Sequence, residues 1–184
     1  MKIMYTFVFI LVCTIVFFLE SFVPTDYFSF IPLFALSRPW TFITSIFLHA
    51  NFEHLFFNMF ALFMFGIYLE ARIKKINFIL IFFLAGIAGN LGYMVTAPSA
   101  TTPAIGASGS IYGVMGALAV LVPTASIYFS YIPMPIIFVA FIWAITEFLG
   151  LFTPGPIAHG AHLAGLFIGV LFGLYLRKVK SSIR

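Results

Sequence analysis

Charged residues are nearly confined to the gaps between long apolar runs, and no other property of the chain constrains its fold as much. Only 8% of the 184 residues are charged, 63% are hydrophobic and mean hydropathy is +1.17, far beyond what the core of a water-soluble domain needs. About 20 apolar residues cross roughly 30 Å of hydrocarbon. Polar and Gly/Pro punctuation divides the sequence into six such stretches, at about 4 to 23, 52 to 71, 76 to 95, 107 to 124, 133 to 150 and 158 to 177. The expectation is an all-α, polytopic membrane protein, a six-helix bundle forming one domain over residues 1–184. The first stretch keeps Glu20 near its far end and has no small-residue cleavage site after it, so it reads as a retained helix and not a signal peptide.

Basic residues between the spans set the orientation, because Lys and Arg near helix ends stay on the cytoplasmic side. With six spans, Lys2, Arg72, Lys74, Lys75, Arg177, Lys178, Lys180 and Arg184 all fall on one side. Arg38 lies opposite, in the long 24 to 51 connection, on the same side as Asp26 and Glu53. Both termini are therefore expected in the cytoplasm. This asymmetry accounts for the net charge of +4, which is not read as a nucleic-acid signal. Cys13 is the one cysteine and lies in the first span, so no disulfide framework or thiolate metal cluster is expected.

Polar side chains inside spans are costly and usually kept for function. All four histidines belong here: His49 and His54 around the start of the second span, His159 and His162 around the start of the sixth. The fourth span begins at the same face with Ser108. His54 and Asn58 are spaced i, i+4 and share a helix face. His162, Gly165, Gly169 and Gly173 form a second stripe, and Gly109, Gly113 and Gly116 a third. Small residues so spaced let membrane helices approach backbone to backbone, which would bring Ser108 within hydrogen-bond reach of His162. A serine needs such a base, since its hydroxyl is a weak nucleophile. At a helix start Ser108 also lies beside unpaired N–H groups suited to a developing oxyanion, to which Asn58 and His54 can add donors.

Taken in order, these motifs resemble the rhomboid family of intramembrane serine proteases, from roughly Trp40 to Gly173. His49, His54 and Asn58 resemble its second-helix signature, and Gly66, Glu70 and Arg72 the end of that helix. Gly106, Ser108, Gly109 and Tyr112 resemble the nucleophile motif with the aromatic that stacks on the histidine. Ala161, His162, Gly165 and Gly169 resemble the sixth-helix motif. The resemblance implies a Ser108/His162 dyad without a third acid, an oxyanion hole of His54, Asn58 and the Ser108 backbone, and support from Tyr112, Gly106, Gly109, Gly165 and Gly169. It implies a partly embedded 24 to 51 loop, transmembrane protein substrates cut near their outer ends, and no cofactor or metal. Substrate would enter between the second and fifth spans past Phe57 and Trp143, with residues 153–157 as a mobile cap. Arg38-Pro39-Trp40 departs from the family's Trp-Arg pair. The resemblance implies the minimal prokaryotic form, multi-pass in the plasma membrane with its site opening to the outer face.

Other readings stay beside this one. A proteolytically inactive relative that binds membrane clients would usually lack the serine or the histidine, and this chain keeps both. A metal-dependent enzyme or transporter could draw on His54 and His162, but there is no HExxH and no intramembrane acid is expected beside them. Lipids are the surrounding partner, and the 26 phenylalanines are read mostly as lipid-facing and packing surface. His49 is read as ordering the loop, His159 as a loop residue capping the site's edge, and Glu147, near the outer end of the fifth span, as an interfacial anchor in preference to a catalytic acid. Gly92, in the third span and away from both motifs, is expected to tolerate a larger side chain better than Gly165.

Overall fold

The computed structural model describes residues 3–129, 132–153 and 155–182. Lys2 and Arg184 of the charge argument, and Pro154 of the expected cap, lie outside the described residues. Seven helices follow the apolar runs: α1 (Tyr5–Leu19), the short α2 (Thr41–Thr44), α3 (Phe52–Glu70), α4 (Lys75–Thr96), α5 (Ser108–Leu121), α6 (Ile136–Gly150) and α7 (His159–Ser182). The expected spans match α1 and α3 to α7, mostly to within a few residues at each end.

Four of these helices are long and apolar enough to cross a membrane, over Tyr5–Phe22, Phe52–Glu70, Lys75–Thr96 and His159–Val179. The expected fourth and fifth spans, α5 and α6, have 14 and 15 residues. At 1.5 Å per residue each is roughly 21 to 23 Å long, short of the hydrocarbon thickness. Length and composition thus support four crossings, and the sixfold count rests on the sequence pattern. The all-α expectation also omits a hairpin between α5 and α6. Strand β1 (Ser126–Phe129) pairs antiparallel with β2 (Ile132–Pro135), Ser126 facing Pro135 and Ile127 facing Met134. Prolines at 133 and 135 argue against a strand unless it is an edge, and a two-stranded ribbon consists only of edges.

Local chemistry explains where the helices begin. Asn51 caps α3, its side chain accepting from the His54 amide at 2.8 Å. The first turn of α1 has no cap of its own and takes one from the end of α3. Glu70 accepts from the Met4, Tyr5 and Thr6 amides at 2.8, 2.8 and 2.9 Å, and from the Thr6 hydroxyl at 2.8 Å. Gly66 makes room for this, since a Cβ there would stand 2.9 Å from the Thr6 side chain. α1 and α3 are thereby fixed antiparallel, with residues 4 and 70 at one end of the bundle.

At the centre stands α5, buried along most of its length between α3, α4 and α7. Glycine contacts set the approach of α7. A Cβ on Gly165 would fall on the Gly109 carbonyl, and one on Gly169 on the Gly113 carbonyl. The two helices therefore run parallel, in register at these pairs and without side chains between them. Lipid tails are as apolar as leucine, so such van der Waals contact is what holds membrane helices together. The same closeness extends to α4, where Gly89 faces the Ala161 carbonyl and Gly92 lies against the Gly160 carbonyl and Ala164. Gly92 is thus no neutral position. The third span packs on the sixth at the end where His162 lies, which its distance in sequence from both motifs conceals.

The 24 to 51 connection is a folded platform. It contains three 3-10 turns and α2, and a bridge ties Phe30 to Ala104, with amide-to-carbonyl bonds of 3.1 and 2.8 Å. Asn90 of α4 donates to the Phe42 carbonyl at 3.0 Å and to the Ser45 hydroxyl at 2.9 Å. Arg38 lies over the Phe34 and Tyr27 rings, 4.4 and 5.4 Å from their centroids, and Trp40 donates to the Tyr27 carbonyl at 3.0 Å. Aromatic faces thus anchor the arginine that precedes, and does not follow, the tryptophan.

Candidate active site

Ser108 is the first residue of α5, and the turn that delivers it is unusual. Gly106 has φ +120°, a region that side-chain-bearing residues avoid, and its amide donates to the Ser45 carbonyl at 2.9 Å. A Cβ at 106 would also meet the His54 ring, 2.7 Å from Cε1. Glycine is required there on both counts. His162 is one turn into α7 and comes to Ser108 through the Gly109–Gly165 and Gly113–Gly169 register. Its Nε2 lies 2.8 Å from Ser108 Oγ. Tyr112, one turn beyond Ser108, stacks on the imidazole with centroids 4.5 Å apart and an interplanar angle of 7°.

Behind the histidine is a carboxylate for which the sequence pattern favours a different place. Glu147 is not an interfacial anchor: it is 8% exposed and turned inward from α6. One carboxylate oxygen accepts from the Tyr112 hydroxyl. The other lies 2.6 Å from His159 Nδ1 and 3.0 Å from His162 Nδ1. His159, expected in a loop, is instead the first residue of α7. An acid therefore does lie beside the histidines, contrary to expectation. Both Nδ1 atoms lie near one carboxylate oxygen, though only that of His159 is aligned for a hydrogen bond, and among the described residues no group of three such side chains is arranged to hold a metal ion. The available signal was the cost of a glutamate in an otherwise apolar helix. What sequence could not supply was the rotation of α6 that turns position 147 inward.

On the other flank, Asn58 is buried and its Nδ2 donates to the His54 carbonyl at 2.9 Å, the bond expected of an i, i+4 pair on one helix. That bond uses one amide hydrogen and leaves the second. His49 is 1% exposed, its ring edge-on to His54 at 5.1 Å, and its amide donates to Glu20 at 2.9 Å. Burial, with the neighbouring His54 ring adding to it, pulls the His49 pKa down to about 4, so the ring is neutral. Glu20 thus fastens the platform to the end of α1.

The expected gate residues are not in contact in the same way. Phe57 is exposed on α3 and packs on Phe56, whereas Trp143 of α6 is half-buried against Tyr112 and Phe65. Near the expected cap, a cleft of about 310 Å³ opens between the ends of α4, α6 and α7, with Thr96, Thr153, Ile157 and His159 among its walls. A smaller cavity beside Ser108 is lined by Gly106, Gly109, Asn90 and Ala161.

Fold and site together define a multi-pass membrane protein whose central helices bring a serine and a histidine into hydrogen-bond contact. Residues 36–179 match the rhomboid domain, and the chain belongs to the rhomboid family. It is 44% identical over 77 residues to the putative rhomboid protease YdcA of Bacillus subtilis (strain 168), covering 42% of this chain and 38% of that protein. It is 36% identical over 143 residues to Rhomboid protein 1, mitochondrial, of Saccharomyces cerevisiae, covering 74% of this chain and 41% of that protein. A relative named Inactive RHOMBOID-like protein 8, from Arabidopsis thaliana, is 33% identical over 79 residues. The chain spans about two fifths of the length of the first two relatives.

Proposed function

We propose that this chain is an intramembrane serine endopeptidase that cleaves transmembrane protein substrates near their outer ends. The observation that carries the reading is the 2.8 Å contact between Ser108 Oγ and His162 Nε2 under the stacked Tyr112 ring. His162 takes the hydroxyl proton as Oγ attacks the scissile carbonyl, then gives it to the leaving amine as the peptide C–N bond breaks. Water then attacks the acyl-enzyme ester, losing its proton to His162, and Ser108 leaves with that proton. The tetrahedral oxyanion is held by the Ser108 amide, one N–H of Asn58 and His54, donors fixed before the charge develops.

Six crossings accommodate this chemistry. α5 is short because it starts below the outer surface, enclosed by protein where irregular backbone and polar groups are tolerated. Both termini are cytoplasmic, the site opens outward, and the membrane is a prokaryotic plasma membrane. Substrate enters between α3 and α6, past Phe57 and Trp143, with Thr153 and residues 155–157 beside the opening as its cap.

The test is cleavage, in proteoliposomes, of a single-span substrate with helix-breaking residues near its outer end. Wild type should cleave and Ser108→Ala should not, at an unchanged melting temperature. Residual activity above about a tenth would exclude Ser108 as nucleophile, since loss of a triad-type nucleophile costs far more than tenfold. A second reading, that of an inactive client-binding protein, is favoured by the relative named inactive. It requires the wild type to bind such a substrate and leave it intact.

A further inference from the structure

The proposed chemistry demands a particular tautomer of His162. Nε2 must be bare to accept the Ser108 proton, so the ring proton must sit on Nδ1. Nδ1 is buried, and among the described residues no aligned hydrogen-bond partner serves it in the resting geometry. The acceptor closest to hand is Glu147 Oε2 at 3.0 Å, off the line an N–H bond requires. A small rotation of the imidazole under Tyr112 would close that angle. Tyr112 is bound to both partners, since its ring covers His162 while its hydroxyl donates to Oε1 of the same carboxylate. The carboxylate and the ring are thus held as one assembly between α5, α6 and α7.

We propose that Glu147 is a positioning residue for His162, completing a Ser108–His162–Glu147 chain in place of an unassisted pair. This rests on the serine-protease reading above. Glu147 holds the proton on Nδ1, fixes the ring plane and faces the imidazolium that forms when Ser108 attacks. His159 shares Oε2 at 2.6 Å. A carboxylate oxygen has two lone pairs, so it accepts from both rings without displacing either. The competing role for Glu147 is purely structural, as a tie through His159 that holds α6 against the start of α7. That role makes His159 as important as His162 to Glu147, and the two roles differ in what they do to turnover.

The test compares Glu147→Gln and His159→Gln with wild type in proteoliposomes, reading kcat, KM and melting temperature, with Ser108→Ala as the blank. Glutamine keeps the shape of Glu147 and removes its charge. The expected result is a ten- to hundred-fold fall in kcat for Glu147→Gln, with KM within about twofold. His159→Gln should lower kcat several-fold less than Glu147→Gln does, because the carboxylate keeps its charge and its Tyr112 bond. A Glu147→Gln enzyme within threefold of wild-type kcat would overturn the proposal. So would a parallel loss of kcat and melting temperature in both variants, which is the signature of the structural tie. Nitrogen-15 NMR of histidine-labelled protein in nanodiscs adds a second readout: a His162 Nδ1 proton that is lost or redistributed in Glu147→Gln supports the proposal, whereas an Nε2 proton in wild type, or an Nδ1 proton unchanged in Glu147→Gln, overturns it. A wild type that cleaves nothing yet carries the Nδ1 proton would refute the protease reading while leaving the His162–Glu147 contact standing.

Discussion

Gly165→Ala adds a single methyl group to the helix that carries His162, and the structure says where it goes. The new Cβ would land on the Gly109 carbonyl oxygen, 2.8 Å from its carbon and 3.2 Å from the Gly109 Cα. Carbon atoms prefer about 3.5 to 4.0 Å, and the obstacle is backbone, which cannot rotate away as a side chain can. Restoring contact moves α7 off α5 by about 0.7 Å at the carbonyl carbon and further at the oxygen. Gly109 follows Ser108 directly, and Gly165 is one turn from His162, so the displacement falls almost entirely on the dyad. The 2.8 Å Ser108–His162 bond would lengthen to about 3.5 Å, beyond useful hydrogen-bond length. Loss of general-base catalysis is worth about 10² to 10⁴ in rate, and overpacking costs about 1 to 3 kcal/mol in stability. Three measurements follow: substrate cleavage in proteoliposomes, the rate of Ser108 labelling by a fluorophosphonate, and the thermal melting temperature. Gly155→Ala is the comparison for melting temperature, because among the described residues nothing lies within 4 Å of a Cβ there; its place in the proposed cap leaves its cleavage rate out of the comparison. Gly92 cannot serve, being packed on Gly160 and Ala164. If Gly165→Ala retained wild-type cleavage, labelling and melting temperature, the register of α5 and α7 would not be what assembles the site.

His162→Ala should lower turnover by about 10² to 10⁴, and His159→Ala should be mild; the reverse ranking would mean the base is His159. Asn58→Ala should reduce kcat about 10²-fold or more if its free amide hydrogen reaches the oxyanion, whereas unchanged kcat with raised KM would place it in substrate binding. His49 gives a pH dependence with a definite sign. Its folded pKa of about 4 lies below the roughly 6.5 of an exposed histidine, so its stabilising effect is complete above pH 6.5 and is lost as pH falls toward 4. Melting temperature should therefore drop between pH 6.5 and 4, less steeply in His49→Gln, and equal slopes in the two proteins would contradict this.

The sequence shows features that act along one helix and conceals those that depend on how helices are rotated against one another. The i, i+4 pairing of His54 with Asn58 and the glycine stripes are local periodicities; the first is joined by a side-chain to backbone hydrogen bond and the second lies against helix backbone. The glycine stripes even fix a distance between helices, because a row without side chains permits only backbone contact. Glu147 is a different case. One residue in an amphipathically weak helix carries no face of its own, since α6 is apolar all round and nothing in its pattern says which side turns inward. Gly92 and the β1–β2 hairpin were missed for related reasons: the first is defined by a partner helix about seventy positions away, the second by prolines that only an edge strand accepts. The legible part of this site is therefore the Ser108–His162 contact, which sits on a backbone-to-backbone seam. The less legible part is the surrounding shell, where Tyr112, Glu147 and His159 come from three different helices and meet around one imidazole. A carboxylate held in that shell by a tyrosine hydroxyl and one histidine, with a second histidine 3.0 Å away, has hydrogen-bonding reason enough to be buried. Removing its charge while keeping its shape is the substitution that distinguishes packing from chemistry.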